Sequence, residues 1–83
     1  MSKLYVVSFD TQRNRVYSNW EYISEANSKK AAIEEARAAW QDRGHTSHQF
    51  HCYAEKIDAL PDGREVGAFK RIDWRPVTWG YRG

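Results

Sequence analysis

Cysteine is almost absent from this sequence, since Cys52 is the only one. An intramolecular disulfide is therefore excluded, and nothing indicates an oxidising compartment. Long apolar runs are also absent, because no stretch approaches the ~18 residues that a membrane span needs. Asp10 and the polar residues after it interrupt the short apolar run near the N-terminus, which argues against a signal peptide. We expect a cytoplasmic protein that does not enter a membrane.

The sequence also lacks the motifs of the common enzyme classes: a glycine-rich nucleotide loop, a nucleophile elbow or an H-E-x-x-H pair. Glu34 and Glu35 are neighbours on a predicted helix, about 100° apart around its axis, so their carboxylates do not converge on one atom. Cys52 and His51 are neighbours in a predicted strand and therefore point to opposite faces. We expect a protein that is not an enzyme and that binds no cofactor.

One segment, HTSHQFHC, contains the chemistry of a metal site. Imidazole and thiolate are both zinc ligands. However, the segment straddles the predicted start of a strand, where His48 and Cys52 share one face and His51 lies on the other. No second cluster of histidine or cysteine completes four ligands. We therefore interpret the segment, including His45, as a polar loop followed by a strand with a small buried thiol, and predict no metal site.

The composition is that of one small domain spanning residues 1–83. Hydrophobic residues make up 41% of the chain and charged residues 29%, which is typical of a globular protein and argues against disorder. The net charge of +2 is too small for the footprint of a dedicated nucleic-acid-binding protein. Aromatic residues, at 14%, are abundant, and large rings suit both a small core and a binding surface.

Two strands and a helix are predicted in the first half of the chain. Residues 3–9 are β-branched and aromatic, and residues 16–26 alternate, so the polar residues 10–15 are expected to connect a hairpin. Asn27 or Ser28 can cap a helix that Gly44 ends. One stripe of this helix is expected to face a core; it consists of Ala32, Ile33, Ala36, Ala39 and Trp40.

Two more strands are predicted in the second half, at residues 48–58 and 65–74, separated by the turn signal Pro-Asp-Gly. In the third strand, alternation places Phe50 on one face with Cys52 and Ala54. In the fourth strand it places Val66, Ala68 and Ile72 on one face and Phe69 on the other.

The element order β-β-α-β-β predicts an α+β fold, in which a four-stranded antiparallel sheet has one helix packed on one face. The face opposite to the helix (the open face) must then be exposed to solvent, covered by the C-terminal tail or buried in a partner.

Rings and cations are concentrated at the C-terminal end, in DWRPVTWGYRG. Rigid rings and planar guanidinium groups are enriched in protein interfaces. We therefore predict that residues 75–83 form an aromatic and basic tail. The residues predicted to bind a protein partner are Arg71, Trp74, Arg75, Trp79, Tyr81 and Arg82.

Three other interpretations stay open. Arginines can pair with phosphates while rings stack on bases, which would make this a nucleic-acid-binding surface; the residues predicted for it are Arg13, Arg15, Arg71, Arg75 and Arg82. Alternatively, the rings close the open face as part of the core while the arginine heads reach water. In the third interpretation, two copies form a homodimer by pairing their open faces.

The segment WEYISEANSKKAAIEEARAAWQDRG joins a strand ending in E-A-x-S to a helix of the form A-x-x-x-A-x-x-x-W. It resembles small bacteriophage and mobile-element proteins, among them anti-CRISPR proteins that inhibit multisubunit effector complexes. The resemblance implies a compact, non-catalytic protein that binds one surface of a larger host complex. We therefore expect an inhibitor or adaptor that covers a functional surface of such a complex.

Overall fold

The computed structural model describes residues 2–76, with the backbone alone for residues 75 and 76. Its elements are β1 (Lys3–Arg13), β2 (Val16–Ala26), α1 (Lys29–Asp42), β3 (Phe50–Ile57) and β4 (Phe69–Pro76). The four strands form one sheet in the order β3-β1-β2-β4, and every pair of neighbours is antiparallel. The predicted α+β fold is confirmed.

The β1–β2 hairpin is longer than the sequence indicated. Both strands have 11 residues, and only Asn14 and Arg15 lie between them. Their φ angles of 54° and 64° are both left-handed, as a two-residue type I′ turn requires. The prediction of a connection over residues 10–15 was therefore wrong. Its polar residues belong to a strand because Asp10 and Gln12 lie on the open face, where polar side chains are tolerated.

Helix α1 begins and ends close to the predicted residues. The Ser28 hydroxyl accepts a hydrogen bond from the Ala31 amide at 3.1 Å, and Gly44 has the left-handed φ of 81° after the last turn. The predicted stripe is confirmed: three of its members are buried and two pack partly buried against the core. Within residues 2–76 no helix is long and apolar enough to cross a membrane.

The core lies between α1 and the sheet, with the Trp40 ring at its centre. This ring makes edge-to-face contacts with Phe9, Phe69 and Trp20, at centroid distances of 5.1, 5.0 and 5.2 Å. Such pairs contribute roughly 0.5–1.5 kcal/mol each beyond the area they bury. The indole N–H of Trp40 also donates to the Ser47 carbonyl at 2.9 Å. One side chain thus links the helix to three strands and to the segment that follows the helix.

The edge strand β3 departs from the predicted alternation. Ala54 is buried and Cys52 packs against the core, but Phe50 is 40% exposed. The register changes between the pairs Ser8–Tyr53 and Asp10–Phe50, so β3 contains one extra residue there. This bulge pairs Phe50 with a residue of the open face, and the prediction that Phe50 shares the face of Ala54 was wrong.

The edge strand β4 also departs from the predicted alternation. Phe69 packs against the core, whereas Val66 and Ile72 are each 45% exposed. The strand begins only at Phe69, after Gly67 with its left-handed φ of 84°, and its register changes between Asn19 and Trp20. The prediction that Val66, Ala68 and Ile72 share one face of a single strand was therefore wrong, because these two irregularities reset the alternation.

The connection between β3 and β4 returns to β2 and covers part of the open face. The Gly67 amide donates to the Ile23 carbonyl at 2.8 Å, and Val66 forms a single parallel bridge with Ile23. The Arg64 guanidinium, whose side chain is 9% exposed, lies 2.7 Å from the Glu21 carboxylate. Ile23, which shares the open face with Glu21, is fully buried. The connection is thus a cover for this face that the sequence did not indicate.

Replacement of Trp40 by alanine is expected to lower the free energy of unfolding by about 3–5 kcal/mol, because the large buried ring leaves a cavity. The matched control is Trp74→Ala, in which the ring lost is 55% exposed, and we expect a change of about 0.5 kcal/mol or less. Urea denaturation of both variants measures the difference. Equal losses in the two variants would show that Trp40 is not the anchor of the core.

Tyr22 should make stability depend on pH in the alkaline range. Burial, then a hydrogen bond to Glu35 at 3.0 Å and the negative charge of Glu35, raise the pKa of Tyr22 from 10.0 to about 12. The native state therefore keeps this proton while the unfolded state loses it. The resulting stabilisation is complete below pH 10 and is lost as pH rises towards 12. We expect Tyr22→Phe to show a shallower alkaline decline in the free energy of unfolding.

The control for this measurement is Tyr53→Phe, because the Tyr53 side chain is 59% exposed. Its denaturation midpoints should follow those of the wild type from pH 9 to 12. A parallel decline in all three proteins would contradict the assignment of the pKa shift to Tyr22.

Candidate binding surface at the hairpin end of the sheet

One end of the sheet brings together residues that the sequence separates widely. The register pairs Arg13 with Val16 across the β1–β2 turn, and Val16 with Pro76 at the end of β4. The end of β4 therefore lies beside the β1–β2 turn, and the strand runs back along β2 as far as the pair Arg71–Trp20. We call residues 13–16 and 71–76 the hairpin end. Three of the predicted partner-binding residues, Arg71, Trp74 and Arg75, belong to the hairpin end, together with the predicted nucleic-acid-binding residues Arg13 and Arg15.

Apolar side chains are exposed on the β4 part of the hairpin end. Trp74 is 55% exposed and Ile72 is 45% exposed. The register pairs Asp73 with Asn19 and Arg71 with Trp20, so Ile72 is the extra residue of a bulge. A bulge breaks the alternation of a strand and turns a side chain away from the face it would otherwise occupy. The local backbone thus explains how a large aliphatic side chain comes to be exposed next to a tryptophan.

Exposed cations also belong to the hairpin end. Arg13 and Arg15 are exposed at the turn, and the exposed Arg71 lies with its guanidinium carbon 6.0 Å from the centre of the Trp20 ring. A cation at this distance from a tryptophan face is attracted to it, which restricts where the Arg71 head points. The hairpin end thus combines an exposed tryptophan with several arginines, the residue types that dominate binding energy in protein interfaces.

The remaining predicted residues lie at or beyond the limit of the described chain. Arg75 pairs with Tyr17 through its backbone, which places it in β4 at the hairpin end. The side chain of Arg75, and all of Trp79, Tyr81 and Arg82, lie outside the described residues. The prediction that they bind a partner stays a prediction.

A polar network on the open face supports the hairpin end, and sequence reasoning missed it. The Asp10 carboxylate accepts hydrogen bonds from the Tyr17 hydroxyl at 3.1 Å and the Asn19 amide at 2.9 Å. His51 Nδ1 lies 3.2 Å from the same carboxylate. The network joins β1, β2 and β3, so it holds three strands in one arrangement. Recognition of the two-residue turn would have paired Asp10 with Asn19 and indicated this network.

A cleft of about 440 Å³ connects the polar network to the exposed tryptophan. The residues lining it are Asp10, Tyr17, Asn19, Ile72, Asp73 and Trp74. Asp73 is oriented within it by a hydrogen bond from the Trp74 amide to its carboxylate at 2.8 Å. The surface next to Trp74 is thus concave, which is where a partner side chain finds the most contact.

The histidines and the cysteine lie apart from one another in the structure. His45 stacks on Trp40 at 3.9 Å, His48 contacts Phe50, and His51 is part of the polar network. Cys52 is a partly buried free thiol. Within residues 2–76 no group of three or more histidine, cysteine or acidic side chains is placed to hold a metal ion.

Comparisons with known proteins found no relative: the chain has no significant match among protein-family models, curated proteins or solved structures.

Arg15 occupies a position where glycine is favoured, because the second residue of a type I′ turn needs a left-handed φ. We expect Arg15→Gly to raise the free energy of unfolding by about 0.5–1 kcal/mol, since the side chain no longer strains the turn. The matched control is Arg13→Gly, which places glycine inside a strand and should lower stability by about 0.5–1 kcal/mol. Thermal denaturation of both variants tests this. A loss of stability in Arg15→Gly would contradict the turn geometry.

Proposed function

We propose that this chain is a non-enzymatic inhibitor or adaptor that binds another protein through the hairpin end and covers a functional surface of a larger complex. The observation that carries the proposal is the exposure of Trp74 and Ile72, which line a cleft in a part of the sheet that also carries exposed arginines. An exposed tryptophan on a rigid strand gives a large contact area at a low cost in conformational entropy.

The charge at this surface favours an acidic partner. Arg13, Arg15 and Arg71 are exposed, and Asp73 is the exposed acid among them. Complementary charge around an apolar centre speeds association and excludes partners of the wrong sign. The partner we propose is a protein surface with an apolar pocket for Trp74 and carboxylates around it.

The backbone strain at Arg15 supports a role in binding for the hairpin end. A left-handed φ of 64° at a large non-glycine residue is unfavourable, and positions that break a local rule are often functional. Because Arg15 is exposed, its guanidinium is available to a partner.

The wider biological setting is part of the proposal. Origin in a phage or mobile element, an anti-CRISPR-like target and a cytoplasmic location follow from the sequence predictions alone. Identification of the bound protein would test all three.

Nucleic-acid binding is the second candidate, favoured by one observation. The structure brings the end of β4, with Arg75, to the end of the sheet that carries Arg13 and Arg15, although they are more than fifty residues apart in the chain. Phosphates could pair with these arginines while a base stacks on Trp74. Dimerisation through the open face is a third arrangement, and it would double the mass measured by light scattering.

The test is a pull-down from bacterial lysate with the tagged chain, with and without nuclease, followed by affinity measurement on the captured protein. We expect Trp74→Ala to raise the dissociation constant at least about 30-fold, the effect of losing a central interface residue. Tyr53→Ala is the matched control, since it removes a similarly exposed ring from the other edge strand. It should leave the affinity unchanged.

Two results would overturn the protein-binding proposal. One is capture that disappears entirely after nuclease treatment. The other is a steep salt dependence: three phosphate contacts predict an affinity loss of about 40-fold between ~50 and ~200 mM salt. Either result would favour the nucleic-acid alternative. Equal loss of affinity in Trp74→Ala and Tyr53→Ala would place the interface elsewhere.

A further inference from the structure

A second cavity lies between the end of α1 and the segment that leads to β3. Its volume is about 540 Å³, and it is lined by Arg37, Trp40, Gln41, His45, Thr46, Ser47, His48 and Gln49. None of these residues belongs to the hairpin end. From this cavity we infer a binding site for a small phosphate-type oxyanion, a ligand class that the proposed function does not require.

The lining is rich in hydrogen-bond donors and contains no carboxylate. Arg37 supplies a permanent positive charge, and its planar guanidinium matches the geometry of a phosphate. Gln41 and Gln49 supply amide N–H groups, and Thr46 and Ser47 supply hydroxyl groups. A cation would meet no opposite charge among these side chains, whereas an oxyanion would be surrounded by donors.

One donor in this lining lacks a partner. The side-chain amide nitrogen of Gln49 is buried and makes no hydrogen bond. A buried donor without a partner is unfavourable, because the group has lost its water and gained nothing in exchange. Rotation of the half-buried Gln49 side chain towards the cavity would bring this nitrogen to an oxygen of a bound anion, so ligand binding would remove the cost of the unpaired donor.

The walls of the cavity are held in place before any ligand binds. The indole N–H of Trp40 is bonded to the Ser47 carbonyl, and the His45 ring lies parallel to the Trp40 ring, 15° from coplanar. The backbone amide of His45 also donates to the Trp40 carbonyl at 3.2 Å. A ligand therefore enters a formed site and does not have to order a loop.

The negative end of the helix dipole is weakened at this site. The exposed carbonyl groups of a last helical turn normally repel anions. Here the carbonyl oxygens of Ala39, Trp40 and Gln41 accept hydrogen bonds from the three residues that follow the helix. These bonds leave the donors of the side chains as the main groups facing the cavity.

The experiment is an NMR titration of the uniformly ¹⁵N-labelled full chain with sodium phosphate, at constant ionic strength maintained with sodium chloride. We expect saturable shifts of the Gln49 side-chain amide and of the Trp40 indole N–H. In Arg37→Gln the half-saturating phosphate concentration should rise at least about tenfold, the effect of losing one charge-assisted hydrogen bond. Arg37 is exposed, so this variant should fold.

Lys30→Gln is the matched control, because it removes one positive charge from an exposed position at the start of α1, outside both the cavity and the hairpin end, and it should bind phosphate like the wild type. Gln49→Leu removes the unpaired donor and should also weaken binding. Shifts that grow linearly without saturation would overturn the site. So would a half-saturating concentration that is the same in Arg37→Gln as in the wild type, or a loss of affinity that is equal in Arg37→Gln and Lys30→Gln.

Discussion

The packing of Trp40 against the sheet is the interaction on which the rest of this small structure depends. The helix meets the sheet otherwise through alanines, such as Ala32 and Ala36, which let it approach closely but bury little area. The one large ring of the stripe contacts side chains from β1, β2 and β4 at the same time. It therefore fixes the helix on the sheet and also fixes the strands relative to one another.

A single helix covers one face of the sheet, and this asymmetry divides the molecule into regions with different roles. The covered face supplies the stability. The open face carries polar side chains near the hairpin end and is closed elsewhere by the β3–β4 connection, through Arg64 and Glu21. Both edge strands have a bulge and charged side chains, which are features that discourage pairing with another strand. Recognition at the hairpin end therefore depends on side chains more than on backbone hydrogen bonds.

The accuracy of the sequence predictions followed the regularity of the backbone. The helix and its stripe were predictable because its period of 3.6 residues continues unbroken from Lys29 to Asp42. The faces of β2 were predictable because its period of two residues is also unbroken from Val16 to Ala26. The face of Phe50 in β3 and the faces of β4 were not predictable, since one extra residue at a bulge moves the side chains beyond it to the other face. His51 and Ile72 lie at these bulges, and nothing in the residue types around them announces the change.

The predicted site also contains features that the residue types indicated and features that only the fold reveals. Trp74 and Arg71 were predicted from their residue types, because tryptophan and arginine are typical of interfaces, and the structure shows both to be exposed; their role in binding stays a prediction. The proximity of Arg13 and Arg15 to β4 was not predictable, since it follows from the strand order. The polar network around Asp10 was missed because residues 10–15 were interpreted as a connection.

The strand order also has a consequence for local opening of the molecule. β4 hydrogen-bonds to β2 alone, at one edge, so it can separate while the β1–β2 hairpin, the β1–β3 pair and the helix stay in place. The free energy of such a sub-global opening is smaller than that of complete unfolding. The amides of β4 should therefore exchange with deuterium faster than those of β1, which lies between two neighbours. β4, which carries the proposed interface, is thus one of the two edge strands that hydrogen-bond to a single neighbouring strand.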